Sequence, residues 1–124
     1  DPTPDENQLV YLPADSGHGT SCAGIIGAVT NNNLGVAGVA PDVELVGFNT
    51  FSSGLDADFE DALGNLNVDI SNNSWGGESA SILYDDPWSL NGIEQGIKKG
   101  RNGKGIIYVF ASGNEGGNSN YSIL

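Results

Sequence analysis

Residues 106–111, with the sequence IIYVFA, are the stretch that decides the fold. Apolar and aromatic side chains follow one another there without a polar break, which is typical of a β-strand buried on both faces. A basic, glycine-rich turn at 100–105 precedes this stretch. Before the turn, a helical pattern begins at Pro87, with Leu90, Ile93 and Ile97 on one stripe. A helix leading into a buried strand predicts a parallel sheet.

The same alternation of helix and strand extends upstream. Residues 1–17 are rich in Pro, Asp, Asn and Gly and are predicted to be loop. Apolar residues at helical spacing predict a helix that starts at His18 and ends at asparagines 31–33, and a second helix over 56–66. Short strands are predicted over 43–48 and 68–71. We therefore expect an α/β fold: a three-layer, mostly parallel sheet flanked by helices.

Composition excludes several classes of function. The chain has 124 residues, 16 acidic and 4 basic side chains and a net charge of −12. So few cations cannot follow a phosphate backbone, and an anionic membrane would repel the chain, so neither nucleic acid nor membrane is an expected partner. A single cysteine rules out an internal disulfide and a multi-cysteine zinc site within these residues.

The first chemical motif surrounds His18, the one histidine of the chain, in DSGHGTSCAG at 15–24. The flanking glycines leave the imidazole accessible, as a general base requires. The alternative is a histidine that only makes a capping contact at a helix start. Cys22 has two interpretations as well, a small buried helix residue or a reactive thiol.

Two further motifs follow predicted strands, whose carboxyl ends gather ligands in α/β sheets. Asn114, in ASGNEGG, could donate a hydrogen bond to an oxyanion, or could be an ordinary turn residue. In NNSWGG at 72–77, Gly76 and Gly77 leave a backbone edge on which a peptide could add as a strand. The alternative there is a tight turn with Trp75 in the core.

The fourth motif is the loop NNNLGVAGVAP at 31–41. Backbone carbonyls and amide oxygens in a tight loop suit a hard cation such as Ca²⁺. A surface loop held by asparagine turns would show the same composition.

Taken together and in this order, the four motifs resemble those of the subtilisin-like serine proteases. Residues 95–114, and a cysteine four residues after the histidine, resemble the kexin or proprotein-convertase branch. The resemblance implies catalytic roles for His18 and Asn114 and calcium binding by the Asn32 side chain and the Leu34 and Val36 carbonyls. The substrate-binding residues that it implies are Ser74, Trp75, Gly76, Ala111 and Gly113.

The resemblance also implies that 1–124 is the central part of a longer catalytic domain. Asp1, Asp5 and Asp15 lack the strand context of the family's catalytic aspartate. The family's catalytic serine stands in a Gly-Thr-Ser motif well downstream of the motifs found here, whereas the Gly-Thr-Ser at 19–21 is part of the histidine motif. We expect other segments of the same domain to supply both, so that the chain alone is inactive and the whole cleaves peptides or proteins in a secreted or periplasmic setting. The alternative is a non-catalytic, protease-like domain that binds peptide or calcium. A nucleotide-binding domain would need a G-x-G-x-x-G or Walker loop, and the sequence has neither.

Overall fold

The structure, a computed structural model, describes residues 17–51, 56–75, 87–112 and 114. In chain order the described elements are helix α1 (His18–Gly27), helix α2 (Asp56–Leu63), strand β1 (Ile70–Asn73), helix α3 (Pro87–Gly103) and strand β2 (Ile107–Phe110). The α/β class is confirmed. Among these helices none is both long and apolar enough to cross a bilayer. The chain divides into two compact units, Asp1–Asn49 and Thr50–Leu124.

The first unit contains α1 and the loop that follows it. The helix begins at His18, as predicted, and ends at Gly27, ahead of the asparagines. The last carbonyls of a helix have no partners within it, and here the chain returns to supply them. Three backbone hydrogen bonds close the loop against the helix end: Gly38 N to Ala28 O (2.9 Å), Val39 N to Ile25 O (3.0 Å) and Ala40 N to Ile26 O (2.8 Å).

The predicted strand at 43–48 is wrong, because the structure assigns no strand to these residues. A strand needs a hydrogen-bonded neighbour, and the described part of this unit contains no other strand. Two of the apolar side chains there instead pack against α1. A Cβ placed on Gly27 would lie 2.9 Å from Val43 Cγ1 and 3.1 Å from Leu45 Cδ1, so Gly27 gives these two side chains room against α1.

The second unit is built on a parallel pair of strands. β1 and β2 pair in the register Ile70↔Ile107 to Asn73↔Phe110, which confirms the parallel sheet within the described residues. β1 lies two residues later than the predicted strand at 68–71. The polar Asn72 and Asn73 are thus inside the ladder, where composition alone disfavours a strand.

β2 is not buried on both faces, contrary to the prediction from its apolar run. Ile107 is 47% exposed and Val109 is 50% exposed, whereas Tyr108 and Phe110, on the other face, are half-buried. The described helices of this unit pack on the Tyr108 face, since a Cβ placed on Gly96 of α3 would overlap the Tyr108 hydroxyl. The apolar run therefore does not identify which face is covered.

The buried face of α3 also differs from the predicted one. Leu90 and Ile97 are 46% and 56% exposed, whereas the buried residues of α3 are Ser89, Gly92, Gly96 and Gly100. A helix that presents small residues can approach its neighbours closely. A Cβ placed on Gly92 would lie 2.6 Å from the Glu60 carbonyl oxygen of α2, so the two helices touch backbone to backbone.

Both helices end in ways that the sequence partly predicts. α2 stops at Leu63, which is 2% exposed, rather than continuing to 66. In α3 the helical conformation breaks at Gly100, and Arg101 and Asn102 take left-handed φ values of 51° and 56°. This reversal confirms the predicted turn before β2. The Arg101 Nε lies 3.3 Å from Asp69 Oδ1, next to the start of β1.

Candidate active site

The carboxyl ends of β1 and β2 lie side by side and define the candidate site. The ladder extends one step beyond the strands, since Ala111 N donates to Asn73 O at 3.0 Å. This bond places the residues after β1, Ser74 and Trp75, next to the residues after β2, which lead to Asn114. Two of the four sequence motifs therefore meet at one edge of the sheet.

The Asn73 side chain holds the two strands together at this edge through hydrogen bonds. It is 5% exposed, and its Nδ2 donates to Ser71 O at 3.2 Å and to Val109 O on the neighbouring strand at 3.4 Å. A buried amide whose hydrogens find carbonyls avoids the cost of an unpaired polar group. Next to it, Asn72 Nδ2 donates to Ser74 Oγ at 2.9 Å. Sequence reasoning missed the part played by Asn73; its position immediately before a predicted substrate edge was the available signal.

Trp75 belongs to an aromatic cluster at the same edge. Its ring centroid lies 5.4 Å from that of Phe59 in α2 and 6.0 Å from that of Phe110 in β2, with edge-to-face angles of 71° and 82°. Phe51 completes the cluster, 5.9 Å from Trp75. Such geometry is favourable for aromatic pairs. The half-buried Trp75 side chain thus links the segment after β1 to α2 and β2.

Asn114 is exposed and takes part in an interaction of its own. Ala111 is exposed, and Ser74 is half-buried. Gly76 and Gly113, the other predicted substrate-binding residues, lie outside the described residues. The assigned roles of all these residues remain predictions.

His18 is the first residue of α1 and is exposed. Its Nε2 lies 3.7 Å from Cys22 Sγ, one helical turn later. Gly17, before the helix, has no side chain that could cap it, and His18 takes part in a further interaction. His18 lies in the first unit and Asn114 in the second; that the two converge on one substrate carbonyl remains a prediction.

The loop after α1 holds the predicted calcium ligands Asn32, Leu34 and Val36, and all three are exposed. Asn31, Asn33 and Gly35 take left-handed φ values of 59°, 57° and 56°. The Leu34 N–H donates to Asn32 Oδ1 at 3.0 Å, which leaves a second lone pair on that oxygen. Over the described ranges no three His, Cys, Asp or Glu side chains gather as a metal cluster, so neutral oxygens are the donors in question.

The chain is similar to one protein family and to several individual proteins. A sequence model described as the Subtilase family matches residues 2–124. The chain is 39% identical over 121 residues to Endoprotease bli-4 of Caenorhabditis elegans, an alignment that covers 94% of the chain and 12% of that protein. It is 37% identical over 121 residues to Furin-like protease 2 of Drosophila melanogaster, covering 94% of the chain and 7% of that protein. It is 36% identical over 105 residues to human Neuroendocrine convertase 2, covering 80% and 16%. The chain thus spans less than a fifth of the length of each of these relatives.

Proposed function

We propose, because the chain belongs to the subtilase family and resembles its convertase members, that it is the central part of the catalytic domain of a serine endopeptidase. The observation that carries the proposal is the Ala111 N to Asn73 O bond, 3.0 Å long. It joins the Ser-Trp motif to the start of the Ala-Ser-Gly-Asn motif, so that one sheet edge can hold a peptide and reach its carbonyl. Proteolysis needs both functions in one place.

The substrate is proposed to bind as an added strand along Ser74, Trp75 and Gly76. Main-chain hydrogen bonds would supply the affinity, with Ala111 and Gly113 near the P1 side chain. The aromatic cluster supports this assignment because it packs the Trp75 side chain against α2 and β2, which would fix the position of the backbone that binds the peptide. Where the convertase branch has proline and an acidic pair after this motif, the chain has Gly77, Glu78, Ser79 and Ala80. P1 specificity is therefore not part of the proposal.

His18 is proposed to take the proton from a serine nucleophile and to return it to the leaving amine. Its exposure at the start of α1 supports this role, since the imidazole must reach both groups. The catalytic serine and aspartate are proposed to come from further segments of the same domain, which would complete a three-layer sheet. Without them the chain alone would be inactive. A secreted or periplasmic location is proposed from the same family resemblance.

Asn114 is proposed to donate its side-chain amide hydrogen bond to the tetrahedral oxyanion. Such a donor acts on charge that appears only in the transition state. Removing it costs about 10²–10³ in kcat, a magnitude known from subtilisin, a member of this family, and carried over here.

Calcium is proposed to bind the loop after α1, through the Asn32 side chain and the Leu34 and Val36 carbonyls. The fit rests on hard oxygen donors and on a loop whose base is fixed by backbone hydrogen bonds to α1. A bound cation would supply structural stability and no chemistry. The cation would order the loop that is hydrogen-bonded to the carboxyl end of α1. His18 lies at the other end of the same helix.

The test uses the full-length protein that contains this chain and a fluorogenic peptide library. We expect hydrolysis that serine-directed sulfonyl fluorides abolish, a loss of about 10⁶-fold in His18→Ala, as known from subtilisin, and a smaller loss in Asn114→Ala. Lys99→Ala is the matched control, because Lys99 is exposed on α3 and its Nζ donates to the Gln95 side chain, one helical turn away, at 3.5 Å. Full activity in His18→Ala would end the proposal. Peptide binding without cleavage by the full-length protein would establish the non-catalytic alternative instead.

A further inference from the structure

The Tyr108 side chain joins three elements of the second unit. It projects from β2 and lies against α3 where Gly96 has no side chain. Its hydroxyl donates to the Leu63 carbonyl oxygen at the end of α2 at 2.5 Å. That carbonyl belongs to the last turn of α2, where the helix supplies no partner. The phenol therefore fills a notch and satisfies a helix end at the same time.

The notch shows that the site accommodates this hydroxyl in particular. A Cβ on Gly96 would overlap the Tyr108 oxygen and would lie 3.0 Å from both Tyr108 Cζ and Ile106 Cδ1. The face of α3 is thus shaped around the tip of the tyrosine, not only around its ring. Phenylalanine would fill the ring position but would leave the Leu63 carbonyl without its donor.

Two links connect Tyr108 with the carboxyl edge of the sheet. The Tyr108 ring stacks on Phe110, with centroids 6.5 Å apart and an interplanar angle of 17°, and Phe110 in turn contacts Trp75. Along the backbone, β2 continues directly into Ala111, whose N–H is bonded to Asn73 O. A shift of β2 along its own axis would move both the aromatic cluster and the chain that leads to Asn114.

We propose that Tyr108 is a positioning residue for Asn114. Its hydroxyl fixes the position of β2 relative to α2 and α3, and β2 sets where the Asn114 amide meets the oxyanion. The inference rests on the proposed function for its catalytic consequence, but the positioning itself can be measured without catalysis. Tyr108 touches neither substrate nor reacting atoms and acts only through the strand.

The kinetic test is a double-mutant cycle in the full-length protein. Tyr108→Phe should lower kcat by roughly 10-fold with little change in KM, because small misplacements of a catalytic group are costly. In an Asn114→Ala background the same substitution should cost less than about 2-fold, because the group that it positions is already gone. Equal losses in both backgrounds would overturn the inference and assign Tyr108 to general stability.

A second measurement does not depend on activity. Tyr108→Phe should speed hydrogen exchange at the amides of Ala111, Ser112 and Asn114, and should leave the amides of α1 unchanged as an internal control. Unchanged exchange at 111–114 would overturn the inference even if the protein cleaves peptides. If the full-length protein has no hydrolytic activity, the proposed function fails while faster exchange there still supports the positioning role.

The notch supplies a check by compensation. Gly96→Ala should speed hydrogen exchange at the same amides and lower kcat because the new methyl group displaces the phenol. Adding Tyr108→Phe should restore part of that loss, since it removes the one atom that overlaps. A double variant worse than Gly96→Ala alone would contradict the geometry on which the inference stands.

Discussion

Gly38→Ala should be one of the most damaging small substitutions in the first unit. A Cβ at this position would lie 2.8 Å from both the carbonyl carbon and the Cα of Gly27, and closer still to Ala28 N. All three are backbone atoms of the end of α1 and its continuation, so no side chain can turn aside to make room. The segment at 38–40 would have to move away from the helix.

The structure sets the size of the effect. That movement breaks the three hydrogen bonds that close the loop against α1. At about 0.5–1.5 kcal/mol net for each bond, the loss comes to roughly 2–4 kcal/mol in the free energy of unfolding. The end of α1 and the proposed calcium loop would both loosen, because they share this closure.

Urea denaturation followed by far-UV circular dichroism measures the change, with Gly24→Ala as the matched control. Gly24 lies inside α1 with open space around its Cβ position, so alanine there should stabilise the helix by up to about 1 kcal/mol. We expect a lower urea midpoint for Gly38→Ala and an equal or higher one for Gly24→Ala. A free energy of unfolding for Gly38→Ala within about 0.5 kcal/mol of the parent's would refute the reasoning.

The remaining predictions concern a phenol, a buried amide and the loop after α1. Burial raises the pKa of Tyr108 above its ordinary value. The stability that this shift contributes is therefore complete below about pH 10 and is lost as the pH rises through the folded-state pKa. Tyr108→Phe should reduce the loss of stability at alkaline pH, and an unchanged loss would contradict this. Asn73→Ala should destabilise the fold by about 1–3 kcal/mol in urea denaturation, because it removes a buried amide and its hydrogen bonds to the Ser71 and Val109 carbonyls. The exposed Asn72→Ala should stay within about 0.5 kcal/mol. A chelator should lower the melting temperature of the full-length protein, and Asn32→Ala, which also removes the acceptor of the Leu34 N–H, should abolish that shift; a parent that is indifferent to chelation argues against the calcium site.

The sequence predicted well those features that depend on neighbours along the chain. The start of α1 at His18 and of α3 at Pro87 follows from local spacing and from proline chemistry. Glu94 and Lys98 lie four residues apart on α3, a spacing that by itself favours an ion pair. Their side chains are 2.5 Å apart, and this contact lowers the pKa of Glu94. Each of these interactions is settled within about one helical turn.

Features that depend on distant partners were predicted poorly. The run at 43–48 has the composition of a strand, but strand formation requires a partner that composition does not reveal. On α3 the larger stripe at Leu90, Ile93 and Ile97 suggested the buried face, while Gly96 and its neighbours carry it. The reason is that the Tyr108 side chain occupies the space beside Gly96. A glycine that makes room for a distant side chain adds nothing to the hydrophobic pattern of its own helix.

The candidate site was predicted in part. The alternation of helix and strand was enough to expect that Trp75 and Asn114 follow strands of one sheet, and the Ala111 N to Asn73 O bond confirms that these ends adjoin. Asn73 and Tyr108 escaped notice because each acts through a contact with a distant element, at Val109 and Leu63 respectively.

The parallel pairing of β1 with β2 has a kinetic consequence. Ile70 and Ile107 are neighbours in the ladder, yet α3 and its flanking segments must first be laid down between them, and such non-local closure is slow. No short stretch of the chain can form this strand pair on its own. Until α3 packs and the two strands pair, the backbone groups of both strands are available to other chains. Nascent molecules should therefore be most prone to aggregation before β1 and β2 have paired.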